Sequence, residues 1–215
     1  MSKTESIERT LAALKKNNMN AYYVENSKDA VELVKSMLNK GDVVSFGGSV
    51  TLNESGVMEL LKSGDYTVLD RFAEGVDPMD VYAKTVNADA YFSSSNAITE
   101  NGELYNVDGL ANRVSAITFG PKKVFIIAGY NKIVKDLDAA ILRVKTVAAP
   151  KNCVRLNKET YCAKNGRCVS LLNDNPGMTE GCQSDGRICR HYVVTAKQRD
   201  AERINVIIIG KEFGY

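Results

Sequence analysis

Two kinds of segment are missing from this sequence. No apolar run approaches the ~20 residues that a membrane-spanning helix needs. The first six residues, Met1-Ser2-Lys3-Thr4-Glu5-Ser6, lack the apolar core of a signal peptide. The sequence therefore predicts a cytoplasmic protein with no membrane partner. The net charge is only +2 and the basic residues are spread along the chain, so no nucleic-acid partner is expected.

Several patterns of common catalytic sites are also lacking. The single histidine, His191, lies late in the chain, and no motif assembles a Ser-His-Asp or Cys-His triad. The dinucleotide fingerprint Gly-x-Gly-x-x-Gly does not occur, so tightly bound NAD is not expected. Cysteine is absent from the first 150 residues, and all five cysteines follow that point.

What the 215-residue chain does contain is a regular alternation of helix and strand patterns, with 44% apolar residues. Its strand segments are short and almost wholly apolar, above all at 124–128 and 204–209. Such strands are typical of a parallel sheet that is covered on both faces. We therefore predict an α/β fold, a mostly parallel sheet with helices on both faces plus a small, irregular, cysteine-rich C-terminal lobe. One domain is expected over residues 1–215, with 151–191 as its cysteine-rich appendage.

Two polar loops are candidates for a binding site. Gly47-Gly48-Ser49 follows a buried strand and precedes a helix, where free backbone N–H groups and the helix dipole favour an anion. A second polar cluster spans residues 96–113 and includes the turn signals Asn101-Gly102 and Asp108-Gly109. Because the carboxyl ends of parallel strands face the ligand crevice, both loops are expected to line one crevice. The alternative is that these residues serve only turns and helix caps.

Seven short motifs then follow one another along the chain. They are 46–52 (FGGSVTL), 69–71 (LDR), 95–102 (SNAITENG), 106–109 (NVDG), 112–113 (NR), 119–124 (FGPKKV) and 129–134 (GYNKIV). In this order they resemble the LUD domain of lactate-utilisation proteins, over about residues 5–215. One position departs from the family pattern, since Ala111 stands where that pattern has a glycine. If the glycine allows close approach to a ligand, alanine would narrow the site.

The resemblance implies a fold similar to sugar-phosphate isomerases, CoA transferases and formyltetrahydrofolate cyclo-ligase. It also implies a part in the oxidation of L-lactate to pyruvate, alongside iron–sulfur partner proteins. It supplies no settled catalytic mechanism, so the roles of individual residues have to come from their chemistry.

Four charged residues are the catalytic candidates. Glu100 is a candidate nucleophile, as the resemblance to CoA transferases implies, or a candidate general base. Asp108 and Arg113 are candidates to hold a substrate carboxylate or phosphate, and Lys132 follows the strongest predicted strand. The candidates for binding a small anionic metabolite are Gly47, Gly48, Ser49, Thr51, Asn96, Asn106 and Asn131. The structural alternative places Glu100 beside a hairpin turn, Asp108 in a turn and Arg113 in a surface ion pair.

The cysteines predict a separate site. Cys162, Cys168, Cys182 and Cys189 lie in a segment rich in glycine and asparagine, and such segments are commonly held by a metal. Four thiolates suit Zn²⁺ or an iron–sulfur cluster. Similar family members have a closer middle pair, whereas this chain has an insertion between Cys168 and Cys182. Cys153 is expected to stay outside the cluster. The alternative is that reduced thiols pack there without a metal.

Three functions remain open at this point. The first is an enzyme or subunit of lactate oxidation that binds a small anion in the crevice. The second is a non-catalytic protein that docks with iron–sulfur oxidoreductases. The third is an acyl, CoA or folate-type transferase that uses Glu100.

Overall fold

The apolar strand segments join into two sheets. The computed structural model describes residues 2–215, and its strands are β1 (Asn20–Val24), β2 (Val43–Phe46), β3 (Thr67–Leu69), β4 (Ala90–Ser93), β5 (Ala97–Thr99), β6 (Leu104–Asp108), β7 (Lys123–Gly129), β8 (Ile133–Val134), β9 (His191–Thr195) and β10 (Ile204–Ile209). The larger sheet has six strands in the order β1-β10-β7-β4-β2-β3, and every neighbouring pair in it is parallel. The predicted α/β fold with a mostly parallel sheet is therefore confirmed.

Helices follow most of these strands. They are α1 (Lys3–Lys16), α2 (Ser27–Met37), α3 (Val50–Glu54), α4 (Val57–Leu61), α5 (Pro78–Thr85), α6 (Asn112–Thr118), α7 (Leu137–Arg143), α8 (Ala149–Arg155) and α9 (Tyr161–Asn165). A π-helical turn at Val144–Ala148 joins α7 to α8. Local caps explain several helix starts. Ser2 and Glu5 form a capping box on α1, and Asp77 caps α5 with Pro78 in its first turn.

The core lies on both faces of the large sheet. On one face, Leu14 of α1 and Ile117 of α6 pack with buried strand residues such as Ile126. On the other face, Val34 of α2 and Leu61 of α4 pack with a second buried set. This second set includes Phe92 and Phe125, whose rings stack with centroids 4.7 Å apart. Among residues 2–215, no helix combines the length and the apolar character that crossing a bilayer requires.

The smaller sheet has the order β8-β5-β6-β9 and was not predicted. Its central hairpin, β5 to β6, turns at Asn101-Gly102, and Gly102 has the left-handed φ of +78° that this turn needs. The second turn signal, Asp108-Gly109, does not make a hairpin. It leads from β6 into α6, because the Asp108 carboxylate accepts hydrogen bonds from the backbone N–H groups of Arg113 and Val114.

The predicted irregular lobe is not confirmed. Residues 151–191 contain most of α8, all of α9 and a 3₁₀ turn at Val169–Leu172, and they lead into β9, which pairs with β6. Cys189 and Tyr192 pack on a third buried cluster that includes Tyr105 and Val144. The segment is therefore anchored to the smaller sheet by ordinary packing, a contact between distant parts of the chain that local composition did not reveal.

Candidate functional site

A cavity of about 360 Å³ opens where four parallel strands of the large sheet end. Gly48 and Ser49 come from the loop after β2, Arg71 follows β3, Ser94 follows β4, and Lys132 follows β7. Their strands are neighbours in the sheet and run in the same direction, so their carboxyl ends meet at one edge. The smaller sheet and the segment 144–156 supply the other walls.

The predicted site residues divide into three groups. Those that line the cavity are Gly48, Ser49, Thr51, Asn96, Asp108, Arg113 and Lys132. Three others do not line the cavity: Gly47, Asn106 and Asn131. The first two contact Arg113, which does line it, and the third holds the backbone of Phe213. Glu100 lies elsewhere.

Arg113 is the most densely bonded side chain of the site. Its Nε atom donates to Asp108 at 3.3 Å, and Nη1 donates to the side chain of Asn106 at 2.6 Å and the carbonyl of Ser94 at 3.1 Å. Its Nη2 atom donates to the side chain of Asn96 and the carbonyl of Val107, both at 3.0 Å. All five guanidinium N–H groups are thus used within the protein. Arg113 supplies positive charge to the cavity, but it has no free fork for the substrate bond that the sequence suggested.

Gly47 and Asn106 support this arginine. A Cβ atom on Gly47 would lie 2.8 Å from the Tyr91 hydroxyl and 3.1 Å from Cγ of Arg113, so glycine leaves the room that the arginine stem needs. Asn106 is fully buried, and its Nδ2 atom has no partner among the described residues. Both residues therefore help to hold Arg113.

Lys132 lies at the bottom of the cavity. Its side chain is buried, and its Nζ atom donates to the Ser94 hydroxyl at 2.9 Å. Burial, together with the nearby charges of Arg143 and Arg113, lowers its pKa from 10.5 to about 7. Among residues 2–215, no carboxylate forms an ion pair with it. Lys132 is therefore a buried amine that forms no ion pair within residues 2–215, although the charge of Glu54 partly offsets the lowering of its pKa.

Arg71 and Arg155 are site residues that sequence reasoning missed. Four basic side chains line the cavity, Arg71, Arg113, Lys132 and Arg155, against one acidic side chain among the described residues, Asp108. Arg71 stacks on the Phe72 ring at 4.5 Å, and its recorded hydrogen bond is one of 3.4 Å from Nη1 to a backbone carbonyl, so most of its N–H groups remain available. Its position just after a strand could have identified it, because residues at the carboxyl ends of parallel strands face the ligand crevice. The same rule selected the Gly47-Gly48-Ser49 loop.

Arg143 lies behind the cavity and was also missed. It donates to the backbone carbonyls of Asn96 at 2.6 Å and Asn131 at 3.3 Å. Burial lowers the pKa of this guanidinium to about 10. Its charge thus disfavours a proton on Lys132 while its N–H groups hold two loops of the cavity wall.

Glu100 lies outside the cavity. Its carboxylate accepts a hydrogen bond from the Ser6 hydroxyl at 2.6 Å and pairs with Arg9 at 3.0 Å, and both partners belong to α1. The expectation that Glu100 acts in the crevice is therefore corrected. The small sheet turns the end of β5 towards α1, a packing that motif spacing did not reveal.

The remaining predicted polar residues hold backbone. Ser49 caps the five-residue helix α3, because its hydroxyl accepts a hydrogen bond from the Leu52 N–H at 3.4 Å. Thr51 donates to the Phe213 carbonyl at 3.3 Å, and the side chain of Asn131 bonds Phe213 and Gly214. Together they fix the C-terminal residues beside the cavity, where the Tyr215 hydroxyl donates to Oδ1 of Asn152 at 3.2 Å and accepts from Nε of Arg155 at 2.9 Å.

Ala111 has an unusual backbone conformation. Its φ of +68° lies in the left-handed region that glycine adopts most easily. It immediately precedes α6 and has no side chain that could cap the helix, so Asp108 performs that role. Alanine in place of the glycine of the family pattern therefore strains the backbone beside the cavity.

The five cysteines are free thiols around a second, smaller cavity of about 30 Å³. Cys153 belongs to this group, contrary to the sequence expectation, and its sulfur lies 3.7 Å from that of Cys162. Burial is the main cause that raises the pKa of Cys153 to about 11 and that of Cys189 to about 12. Among residues 2–215, no three metal-binding side chains already have a metal-ligating arrangement.

Comparisons with known proteins identify the family and support the fold. A family model described as LUD domain matches residues 7–209. The chain is similar to the crystal structure of a DUF162 family protein from Deinococcus radiodurans, with a TM-score of 0.54, 13% identity and coverage of 98% of this chain and 99% of that one. It also matches eIF2B beta from Chaetomium thermophilum, with a TM-score of 0.36, 14% identity and coverage of 51% and 43%, a likeness too low to carry any argument. No curated protein matches the chain.

Proposed function

The chain belongs to the LUD domain family, which is associated with lactate utilisation, and on that premise we propose that its cavity binds a short 2-hydroxy or 2-oxo carboxylate such as L-lactate or pyruvate. One observation carries the proposal. Four basic side chains and a single acidic side chain of the described residues line the cavity, and the most buried of the basic groups, Lys132, has no carboxylate partner among them. A buried cation without a partner favours an anionic ligand.

Arg71 is the proposed contact for the ligand carboxylate. It has N–H groups left for a two-pronged contact, the geometry that planar carboxylates prefer. Gly48 supports this role, because a Cβ atom there would lie 3.2 Å from Nη2 of Arg71 and would crowd it. Arg155 adds positive charge from the opposite wall.

Lys132 is the proposed contact for the oxygen on C2. With a pKa of about 7 it is present in both protonation states near neutral pH. Its protonated form would donate to a 2-oxo group, and its neutral form would accept a proton from a 2-hydroxyl group. Ser94 orients the amine by accepting its hydrogen bond.

Oxidation of a 2-hydroxy acid to a 2-oxo acid would remove two electrons and two protons. We propose that neutral Lys132 takes the hydroxyl proton, while the C2 hydrogen leaves with both electrons, as a hydride equivalent, to a redox partner of the iron–sulfur oxidoreductase class that the family resemblance implies. The transferase alternative requires Glu100 in the crevice. Glu100 instead pairs with Arg9 outside the cavity, which weighs against that alternative. The alternative of a purely docking protein stays a prediction that the described residues leave open.

Isothermal titration calorimetry with L-lactate, pyruvate and inorganic phosphate tests the proposal. We expect binding of at least one of the two carboxylates, with an affinity that falls more than ~10-fold in Arg71→Gln, since charged hydrogen bonds contribute about 1.5–3 kcal/mol. Arg167→Gln is the matched control, because Arg167 is exposed and does not line the cavity. Failure of both carboxylates to bind, or equal losses in the two variants, would contradict the proposed function.

A further inference from the structure

All the cysteines of the chain converge on one place. Cys153 lies in α8, Cys162 in α9, Cys168 before the 3₁₀ turn at Val169–Leu172, Cys182 in a loop, and Cys189 before β9. Every one of them lines the small cavity, although 36 positions separate the first from the last in the sequence. Ordinary apolar packing does not require five thiols at one cavity.

The closest pair has the spacing of two metal ligands. The sulfur atoms of Cys153 and Cys162 are 3.7 Å apart. In a tetrahedral site with Zn–S bonds of ~2.3 Å, neighbouring sulfur atoms are separated by ~3.8 Å. A disulfide would need about 2.05 Å. The observed pair thus stands at the separation of one edge of a zinc–thiolate tetrahedron.

A buried hydroxyl without a partner points to the same ligand. Tyr105 lines this cavity and is 1% exposed, and its hydroxyl has no hydrogen-bond partner among the described residues. A neutral thiol is a weak acceptor for this O–H group, whereas a metal-bound thiolate is a strong one. Metal binding would therefore satisfy a group that is now unpaired.

Positive charge is also present at the cavity. Arg187 lines it and donates to the carbonyls of Cys189 at 2.7 Å and Cys182 at 3.1 Å, which holds the backbone of both cysteines. Lys145 lines the cavity as well and bonds Ser170 at 2.9 Å, while Glu180 is the one carboxylate in the lining. One divalent ion with four thiolates has a net charge of −2, which Arg187 and Lys145 would offset, and Glu180 would leave the lining with a net charge of −1.

We propose that this cavity binds a single thiolate-preferring divalent ion of the Zn²⁺ class, with Cys153 and Cys162 as two of its four ligands. The other two come from Cys168, Cys182 and Cys189, whose side chains rotate inward on binding. Each ligating thiol releases one proton to solvent as its S–metal bond forms. A space of about 30 Å³ is enough for one ion.

The site has a structural consequence for the larger cavity. The two cavities share a wall, formed by the residues that line both of them: Val144, Ala149, Ile188 and Cys189. A metal that fixes Cys189 would also fix this wall. This metal site does not depend on the proposed function, because it rests on the thiols and on the side chains around the smaller cavity.

The test uses full-length protein that is reduced, stripped of metal by a chelator and handled without oxygen. Titration with Zn²⁺, and with Co²⁺ as a coloured probe, should give one ion per chain, with thiolate-to-cobalt charge-transfer absorption. Cys153→Ser and Cys162→Ser should each lower the Zn²⁺ affinity more than ~10-fold, and Tyr105→Phe about 10-fold. Ser36→Ala, on the exposed side of α2, is the matched control and should leave the affinity unchanged.

X-ray absorption on the unmodified zinc-loaded protein keeps the test independent of variant folding. Four sulfur neighbours at ~2.3 Å are expected. Nitrogen or oxygen neighbours, the absence of tight Zn²⁺ binding, or unchanged affinity in a folded Cys153→Ser variant would overturn the proposal. Iron with acid-labile sulfide in protein purified without oxygen would overturn the single-ion site in favour of a cluster.

Discussion

Lys132 donates a hydrogen bond of 2.9 Å to the hydroxyl of Ser94, and this contact joins two loops that follow neighbouring strands. Each loop comes from the carboxyl end of a parallel strand, so the sheet itself places the amine at the bottom of the cavity. The same burial that shields the amine lowers its pKa to about 7. Stability and ligand binding should therefore both depend on pH through this residue.

Stability should rise with pH because of Lys132. Its folded pKa of about 7 lies below its ordinary value of 10.5, so the unfolded chain binds more protons between these values, and the free energy of unfolding increases with pH across that window. Between about pH 7 and pH 9 the gain should be about 2 kcal/mol. Urea denaturation of the native protein and Lys132→Met measures it, since Lys132→Met should lack this part of the increase. Parallel pH profiles for the two proteins would count against a lowered pKa.

Arg113 should act mainly on folding. Its side chain is 12% exposed and is bonded through all of its N–H groups, so Arg113→Lys leaves several buried oxygen atoms without donors. A loss of about 2–4 kcal/mol in the free energy of unfolding is expected from chemical denaturation. Arg71→Lys, a charge-matched control at the cavity mouth, should change stability by less than ~0.5 kcal/mol. Equal stabilities of the two variants would show that Arg113 is not a structural hub.

Glu100 should be dispensable for ligand binding. Glu100→Gln removes the ion pair with Arg9, which is half exposed, so stability should fall by less than ~1 kcal/mol. The affinity for pyruvate, measured by calorimetry, should match that of the native protein, because Glu100 does not line the cavity. A large selective loss of affinity in this variant would return Glu100 to the site.

The sequence predicted the large sheet well for a physical reason. Strands such as β7 and β10 are apolar on both faces, and only a sheet covered on both sides buries such strands fully. The sequence also placed Gly48 and Lys132 at one edge of the sheet, because the carboxyl ends of neighbouring parallel strands meet at the same edge. Chain order alone was enough for both conclusions.

Contacts between distant segments limited the rest. β9 pairs with β6 in the small sheet, Glu100 after β5 pairs with Arg9 of α1, and the Cys153 sulfur in α8 lies 3.7 Å from that of Cys162 in α9. The use of every N–H group of Arg113 depends on three elements that meet only in the folded chain. The spacing of residues along the chain does not reveal such tertiary contacts, so the roles of these residues had to come from the structure.

Ala111→Gly should stabilise the protein. The left-handed φ of +68° costs a residue with a Cβ atom about 1 kcal/mol, and glycine avoids that cost. After the greater flexibility of glycine in the unfolded chain is included, a net gain of ~0.5 kcal/mol is expected in thermal denaturation. Ala12→Gly, on the exposed side of α1, is the control and should lose about 1 kcal/mol. Destabilisation by both substitutions would mean that Ala111 is not strained.

The central claim is that a short carboxylate binds beside Lys132, and NMR titration of this lysine tests it most directly. The chemical shift of its ε-carbon should report a pKa of about 7 in the free protein. Bound pyruvate should raise that pKa by at least ~1 unit, because a nearby negative charge favours the protonated amine. A pKa near 10.5 that does not change when pyruvate or L-lactate is added would contradict both the site and the proposed function.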